Sequence, residues 1–375
     1  MRLRRILLSM AAFALALSSA IPASATAFTI PAGSTTSCEK TVSPVKDWWP
    51  NSGNSNNSAT AKALGMAAFK GQLWVLTVNG DVKTPASYTM NVLNSETFKK
   101  EATASMSGVA ANTDGTDIAT LYGLARMDDA VISINRPSSK YRNTKIYAWT
   151  GTGAPTVLLD KQLSTMPIDK SPGRGLGAIG TLSNGKIYIM SADKASVIIL
   201  PVSNKKISSA SAVTLSKSPT IEIAGIEPMS DGSFWLKGAD TQSYGMHFKA
   251  DGTFIEELSK DDIGNPNGTG QRHFTFKGQK LALCMNFTTK TAEGKGYSDP
   301  RLFLIDYTAG VGSGKQKNIL EGTQPQLSSH EQNNINVTAC DYEIKTADKH
   351  LVLYGLDCDG GIVRVEYDET SKKPA

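Results

Sequence analysis

Asn184-Gly185-Lys186-Ile187-Tyr188-Ile189 joins a turn to a strand. Asn-Gly supplies the positive φ that a two-residue hairpin turn needs, and the residues after it run as an apolar strand. The same joint recurs as Lys70-Gly71-Gln72-Leu73-Trp74-Val75, Asp128-Asp129-Ala130-Val131-Ile132, Asp231-Gly232-Ser233-Phe234-Trp235-Leu236, Lys277-Gly278-Gln279-Lys280-Leu281-Ala282-Leu283 and Asp348-Lys349-His350-Leu351-Val352-Leu353. Six copies at intervals of roughly 46–70 residues mean an architecture assembled from repeats.

Working outward from each joint completes a unit of four strands. Before it lies a segment with small residues, such as Gly65 and Ala67, Gly123 and Ala125, Gly175 and Gly177, or Ala224 and Gly225. After it comes a third strand, as in Lys145-Ile146-Tyr147-Ala148-Trp149 or Leu302-Phe303-Leu304-Ile305-Asp306, and then a fourth, as in Thr156-Val157-Leu158-Leu159. Four antiparallel strands per repeat predict propeller blades, and small residues in the first strand suit the crowding of innermost strands around an axis. The predicted blades are 61–110, 117–168, 174–218, 221–262, 271–322 and 334–370. The last has no fourth strand of its own. Residues 39–49, with Val42, Val45, Trp48 and Trp49, are expected to supply it and close the ring. The fold class is therefore all-β, a six-bladed β-propeller forming a single domain over 26–375.

Arg2, Arg4 and Arg5 precede an apolar run from Ile6 to Ala20 and a small-x-small site at Ala23-Ser24-Ala25, the order of a cleavable secretory signal over 1–25. Cutting there removes three of the 39 basic residues and none of the 34 acidic ones, leaving a net charge of about +2. The basic balance thus belongs mainly to the export signal, and no nucleic-acid partner is expected. No later stretch is apolar enough to span a bilayer. The expected product is secreted or periplasmic, soluble and monomeric. Its four cysteines, Cys38, Cys284, Cys340 and Cys358, allow three disulfide pairings, although Cys284 and Cys340 sit in apolar strands that suit buried free thiols.

The blade pattern resembles secreted bacterial six-bladed β-propellers, in particular Bacteroidetes propeller proteins of unassigned function, over nearly the whole mature chain. Named subfamilies are poorly matched: there is no Trp-Asp blade ending, no kelch Gly-Gly doublet per blade, and Ser230-Asp231-Gly232-Ser233-Phe234-Trp235 has the wrong spacing for a sialidase box.

Catalytic motifs are absent from the sequence. It has no G-x-S-x-G, no H-E-x-x-H and no C-x-x-C. Asp357-Cys358-Asp359-Gly360-Gly361 lacks the ligands of a calcium loop and reads as a turn. No metal and no cofactor is expected. Propeller topology puts the entries to the inner strands and the loops between second and third strands on one face, the usual ligand face by fold analogy. Two of those loops, 135–143 and 286–300, are long. The ligand-binding candidates on this face are Asp117, Arg136, Tyr141, Arg174, Arg272, His273, Tyr297 and Asn334. The opposite face, with hairpins at Gly71, Gly185, Gly232 and Gly278, is expected to be too short in its turns to shape a pocket. Aromatic and polar groups at a concave mouth suit a glycan or a protein ligand. The expected function is an exported, non-catalytic binding module. The alternatives are a glycan-degrading hydrolase or lyase built from channel residues, and a structural assembly platform.

Overall fold

The structure, a computed structural model, describes residues 62–81, 84–109, 121–135, 143–162, 179–181, 185–191, 195–219, 223–238, 245–259, 267–290, 297–312, 314–320, 338–345, 349–357 and 361–368. They form six antiparallel sheets, each built in sequence order from the axis outward. Blade 1 comprises Lys62–Phe69, Gln72–Asp81, Thr84–Asn94 and Lys100–Ala104. Blade 2 comprises Leu121–Met127, Ala130–Asn135, Asn143–Trp149 and Thr156–Gln162. In blade 3, Ile179–Thr181 and Lys186–Met190 precede Ser196–Ser203, whose first half pairs with the outer strand Ser211–Thr214 and whose end pairs with Lys206–Ile207. Blade 4 holds Ile223–Pro228, Phe234–Gly238, Met246–Phe248 and Phe254–Glu257. Blade 5 holds Asn267–Phe276, Gln279–Lys290, Tyr297–Asp306 and Lys317–Asn318. Blade 6 has Thr338–Lys345, His350–Asp357 and Gly361–Asp368. The predicted closing strand 39–49 and the predicted signal segment 1–25 lie outside the described residues.

The six inner strands touch one another in sequence, and that of blade 6 touches that of blade 1, so the ring closes at its axis. Backbones approach there closely enough to exclude a side chain. A Cβ on Gly65 would stand 2.7 Å from Leu124 N, and one on Gly270 would stand 2.7 Å from the Ala339 carbonyl carbon. The inner strands of blades 1, 2, 4 and 5 each break register at these small residues, between Ala63 and Gly65, Tyr122 and Ala125, Ile223 and Gly225, and Asn267 and Gly270. A bulge bends a strand locally, which lets it follow the ring.

Between neighbouring blades lies one apolar cluster per seam. Trp74 and Leu76 of blade 1 meet Tyr147 and Trp149 of blade 2, Ile132 and Ile146 meet Ile187 and Ile198, and Tyr188 meets Phe234. Further round, Trp235 meets Phe303 and Tyr307, Leu283 and Met285 meet Leu351 and Leu353, and Val352 and Tyr354 return to Leu73 and Val75. A second strand such as Leu73-Trp74-Val75-Leu76 is apolar at every position because both of its faces are covered. At about 1.5–3 kcal/mol per fully buried large side chain, these seams supply the main drive for folding.

The turns follow the sequence in part. Lys70-Gly71 and Lys277-Gly278 have positive φ at both residues and join strands paired at Phe69–Gln72 and Phe276–Gln279, as a two-residue hairpin requires. The Asp231-Gly232 joint differs: the strands pair at Pro228–Phe234, leaving five residues between them. Asp231 Oδ1 accepts from Ser233 N and Ser233 Oγ, so the aspartate builds a local turn in place of a tight hairpin. Among the described residues no helix is long and apolar enough to cross a membrane.

Candidate functional site

Four inner strands carry a charged residue where the others carry small or apolar ones, and these four side chains meet at the axis. Arg272 of blade 5 donates from Nη1 to Glu227 Oε2 of blade 4 at 3.0 Å, and its Nε stands 3.6 Å from Asp341 Oδ1 of blade 6. Arg126 reaches in from blade 2, with Nη2 3.8 Å from the same Asp341 oxygen. Its Nη1 donates to the Tyr342 carbonyl at 2.8 Å, and its guanidinium lies over the Tyr342 ring at 4.6 Å. Blade 1 joins through its backbone, as Ala68 N donates to Asp341 Oδ2 at 2.8 Å. Five of the six blades are thus tied by one polar network across the axis.

Each charge in it is shaped by its surroundings. Asp341 is fully buried, and both of its oxygens take backbone N–H groups, from Ala68 and Tyr342. Arg272 is mostly buried and is held charged by Glu227 and Asp341 against the cost of burial. Glu227 behaves differently. Burial pushes its carboxyl up to about 7, with Arg272 opposing and Asp341 reinforcing the shift. Its Oε1 accepts no hydrogen bond among the described residues.

Above Glu227 and Arg126 lies a cavity of about 580 Å³. Its walls are the ends of the inner strands of blades 1, 2, 4, 5 and 6 with their turns: Ala68–Lys70, Arg126–Asp128, Glu227–Ser230, His273–Thr275 and Tyr342–Ile344. It therefore opens on the hairpin face. Short turns were expected to leave that face featureless; the cavity arises because converging strand ends shape it, and loop length does not enter. Arg126, with 33% of its side chain exposed, and Glu227, with 16%, form the floor, while Lys70, Asp128, Ser230 and Thr275 are exposed around the rim.

Aromatic rings at the cavity are already occupied. Tyr342 has Phe274 stacked on it at 4.0 Å and Arg126 over its ring. Phe69 meets the edge of Trp74 and carries Lys70 Nζ 4.8 Å from its ring centre. Between blades 4 and 5 a second feature runs outward from the axis. Glu227, Trp235, His247 and Glu256 are successive cross-strand partners on blade 4. Trp235 is stacked between His247 at 4.3 Å and His273 at 4.0 Å, and His273 Nδ1 lies 3.2 Å from Tyr307 Oη. Burial holds the His273 ring well below its usual pKa and lowers that of His247 despite Glu256.

The sequence candidates separate accordingly. Arg272, with 13% of its side chain exposed, ties Glu227 to Asp341 at the axis, and His273 is buried against Trp235 at the cavity wall, where open contact residues were expected. Burial follows from their place in the middle of an inner strand covered by two neighbouring blades. The backbone of Tyr297 pairs with Lys290 at the far end of blade 5. Asp117, Arg136, Tyr141, Arg174 and Asn334 lie outside the described residues. Cys284 and Cys340 are buried free thiols, pushed up by burial, whereas Cys38 and Cys358 lie outside the described residues. Among the described residues no group of three or more His, Cys, Asp or Glu side chains is placed to hold a metal.

A solved structure agrees with this architecture. A DUF4623 family protein from Bacteroides eggerthii superposes with a TM-score of 0.57 at 15% identity, over 84% of this chain and 71% of that one. The likeness is one of fold. The Malassezia sympodialis allergen Mala s 1 gives a TM-score of 0.48 at 10% identity, over 81% and 91% of the two chains. A streptogramin B lyase gives 0.41 at 13% identity, over 83% and 84%. No family model and no curated protein matches the sequence.

Arg126, Glu227, Asp341 and Glu343 were not singled out by sequence reasoning. Their signal was there: a charge interrupting a small or apolar strand just before a hairpin, as in Leu124-Ala125-Arg126-Met127 and Ile226-Glu227-Pro228. What linear sequence lacks is the ring that brings Arg126, Glu227 and Asp341 to Arg272.

Proposed function

We propose that this protein is an exported, non-catalytic binding module whose ligand enters the axial cavity on the hairpin face. The observation that carries this reading is the cavity itself, with Arg126 and Glu227 on its floor and walls drawn from five blades. Its volume lies in the range of small-ligand and side-chain pockets. A protein or peptide ligand suits it better than a glycan, because the faces of Tyr342 that would stack a sugar are covered by Phe274 and Arg126. A two-carboxylate hydrolase is the weaker reading. Of the two acids bound to Arg272, Asp341 is sealed beneath the floor with both oxygens satisfied by backbone N–H groups, and only Glu227 reaches the cavity.

Peptide and glycan arrays probed with the mature protein test this. A ligand found there should bind Arg126→Ala with an affinity changed at least tenfold, weaker for an anion and tighter for a cation, while Tyr297→Ala binds like wild type. The reverse pattern would move the site to the long-loop face. Turnover of a bound glycan, lost in Glu227→Gln, would replace the binding module with a hydrolase. Export is tested by the intact mass of secreted material, expected to lack residues 1–25.

A further inference from the structure

The cavity is lined by three carboxylates, Asp128, Glu227 and Glu343, and two bases, Lys70 and Arg126. Their commitments differ. Glu343 is spent on protein partners: Oε1 accepts from Gly71 N at 3.1 Å, and Oε2 accepts from Tyr354 Oη at 2.9 Å and lies 3.4 Å from Lys345 Nζ. Arg126 is already engaged with the Tyr342 carbonyl, the Tyr342 ring and Asp341. Glu227 engages Arg272 through Oε2 and lines the cavity, with Oε1 in no hydrogen bond to a described residue. Asp128 stands exposed on the rim, and Met127, Met229 and Phe274 line the wall between. Floor and rim therefore each set an acid beside a base, Glu227 beside Arg126 and Asp128 beside Lys70, joined by apolar wall.

From this arrangement, and resting on the binding reading above, we infer that the cavity takes an organic cation on an aliphatic stem, such as a lysine or arginine side chain of a partner peptide, with its charged head on Glu227 Oε1. The stem would lie against Met127, Met229 and Phe274, and the ligand charge would offset the one carboxylate by which the three lining acids exceed the two lining bases.

Binding of this kind is linked to a proton. The groups facing Glu227 are Arg272 and Tyr307 from blade 5, Arg126 from blade 2, and Asp341, Cys340 and Tyr342 from blade 6. The two arginines remain charged, and burial keeps the tyrosines and Cys340 protonated. Glu227 is raised to about 7, so a cation must displace its proton at pH 6 but not at pH 8. Affinity for a cation then rises with pH through 7, by at most about tenfold per unit. An anion would show the opposite slope.

The test uses calorimetry on the mature protein with blocked tripeptides carrying a central lysine, norleucine or glutamate. The lysine peptide is expected to bind at least tenfold more tightly than the norleucine one, to tighten from pH 6 to pH 8, and to release up to one proton at pH 6, read from the dependence of the heat on buffer ionisation. Glu227→Gln should remove the pH dependence and weaken binding. Asp128→Asn, an exposed change that leaves the fold intact, should weaken it by about twofold to fivefold at low salt. Tighter binding of the glutamate peptide overturns the inference, as does lysine binding that ignores pH and both substitutions. Where none of the three peptides binds but an array ligand does so in an Arg126-dependent way, the cation class falls and the binding reading stands. Where neither binds, both fall.

Discussion

The axis and the outer rim of this propeller each hold an ion pair at 3.0 Å, Arg272–Glu227 at the centre and Lys145–Asp160 at the edge of blade 2. The geometry is equal, and the surroundings are not. Asp160 is 53% exposed, so water screens the pair and both side chains lose entropy by holding it. Arg272 is sealed between blades 4 and 6 with two carboxylates committed to it. Removing one partner there leaves Asp341 out of reach of water and Glu227 nearly so. Distance alone therefore says little about what a charge pair does for this protein; burial decides.

The largest effect expected from this contrast is that of Arg272→Ala, which leaves Glu227 and Asp341 facing each other with less compensation. It should cost about 3–5 kcal/mol in urea denaturation at pH 8. An unchanged midpoint would mean that the axial network is dispensable. Trp149→Ala sharpens the contrast in the apolar seam between blades 1 and 2. Its cost should also be about 3–5 kcal/mol, through cavity formation, and should be the same at pH 5.5 and pH 8.

A smaller, pH-dependent effect belongs to the seam between blades 4 and 5. His247 and His273 are held below 6.5 by burial, so beneath that pH the unfolded chain binds protons that the folded one refuses. Stability should fall as the pH drops through 6.5. Glu227 acts with the opposite sign. Its carboxyl is raised from 4.5 to about 7, so between those values the folded state binds the extra proton and gains stability as the pH falls. Glu227→Gln removes that gain and should steepen the loss below pH 6.5. A shallower slope would contradict the assignment. Smallest of all, Lys145→Ala at the rim should change stability by only about 0.2–1 kcal/mol, and less in high salt.

The two faces contrast in the same way. Loop length points to 135–143 and 286–300, because long loops are where ligand sites often reside. The cavity instead lies at the opposite end. Lys70-Gly71 and Lys277-Gly278 are tight hairpins, yet the strands they join converge on the axis and leave a concavity between their ends. Arg272 and His273 are legible as candidates because their segment enters the inner strand of blade 5 and so runs to the axis. Their burial was not legible, since it depends on blades 4 and 6, which are distant in sequence.

What the sequence determined by itself is the repeat. Turn glycines, runs of apolar residues and small residues in each first strand act within a few positions of one another, and local sterics with two-faced burial turn them into blades. Gly65 already marked a close approach, although its partner, the backbone of Gly123 and Leu124, becomes apparent only once two blades pack. The site belongs to the tertiary structure alone. Arg126, Glu227, Arg272 and Asp341 are spread over four blades, and no local spacing relates them. Closing the ring brings them within hydrogen-bonding or ion-pair reach, and the low-dielectric surroundings created by that closure raise the Glu227 carboxyl to about 7.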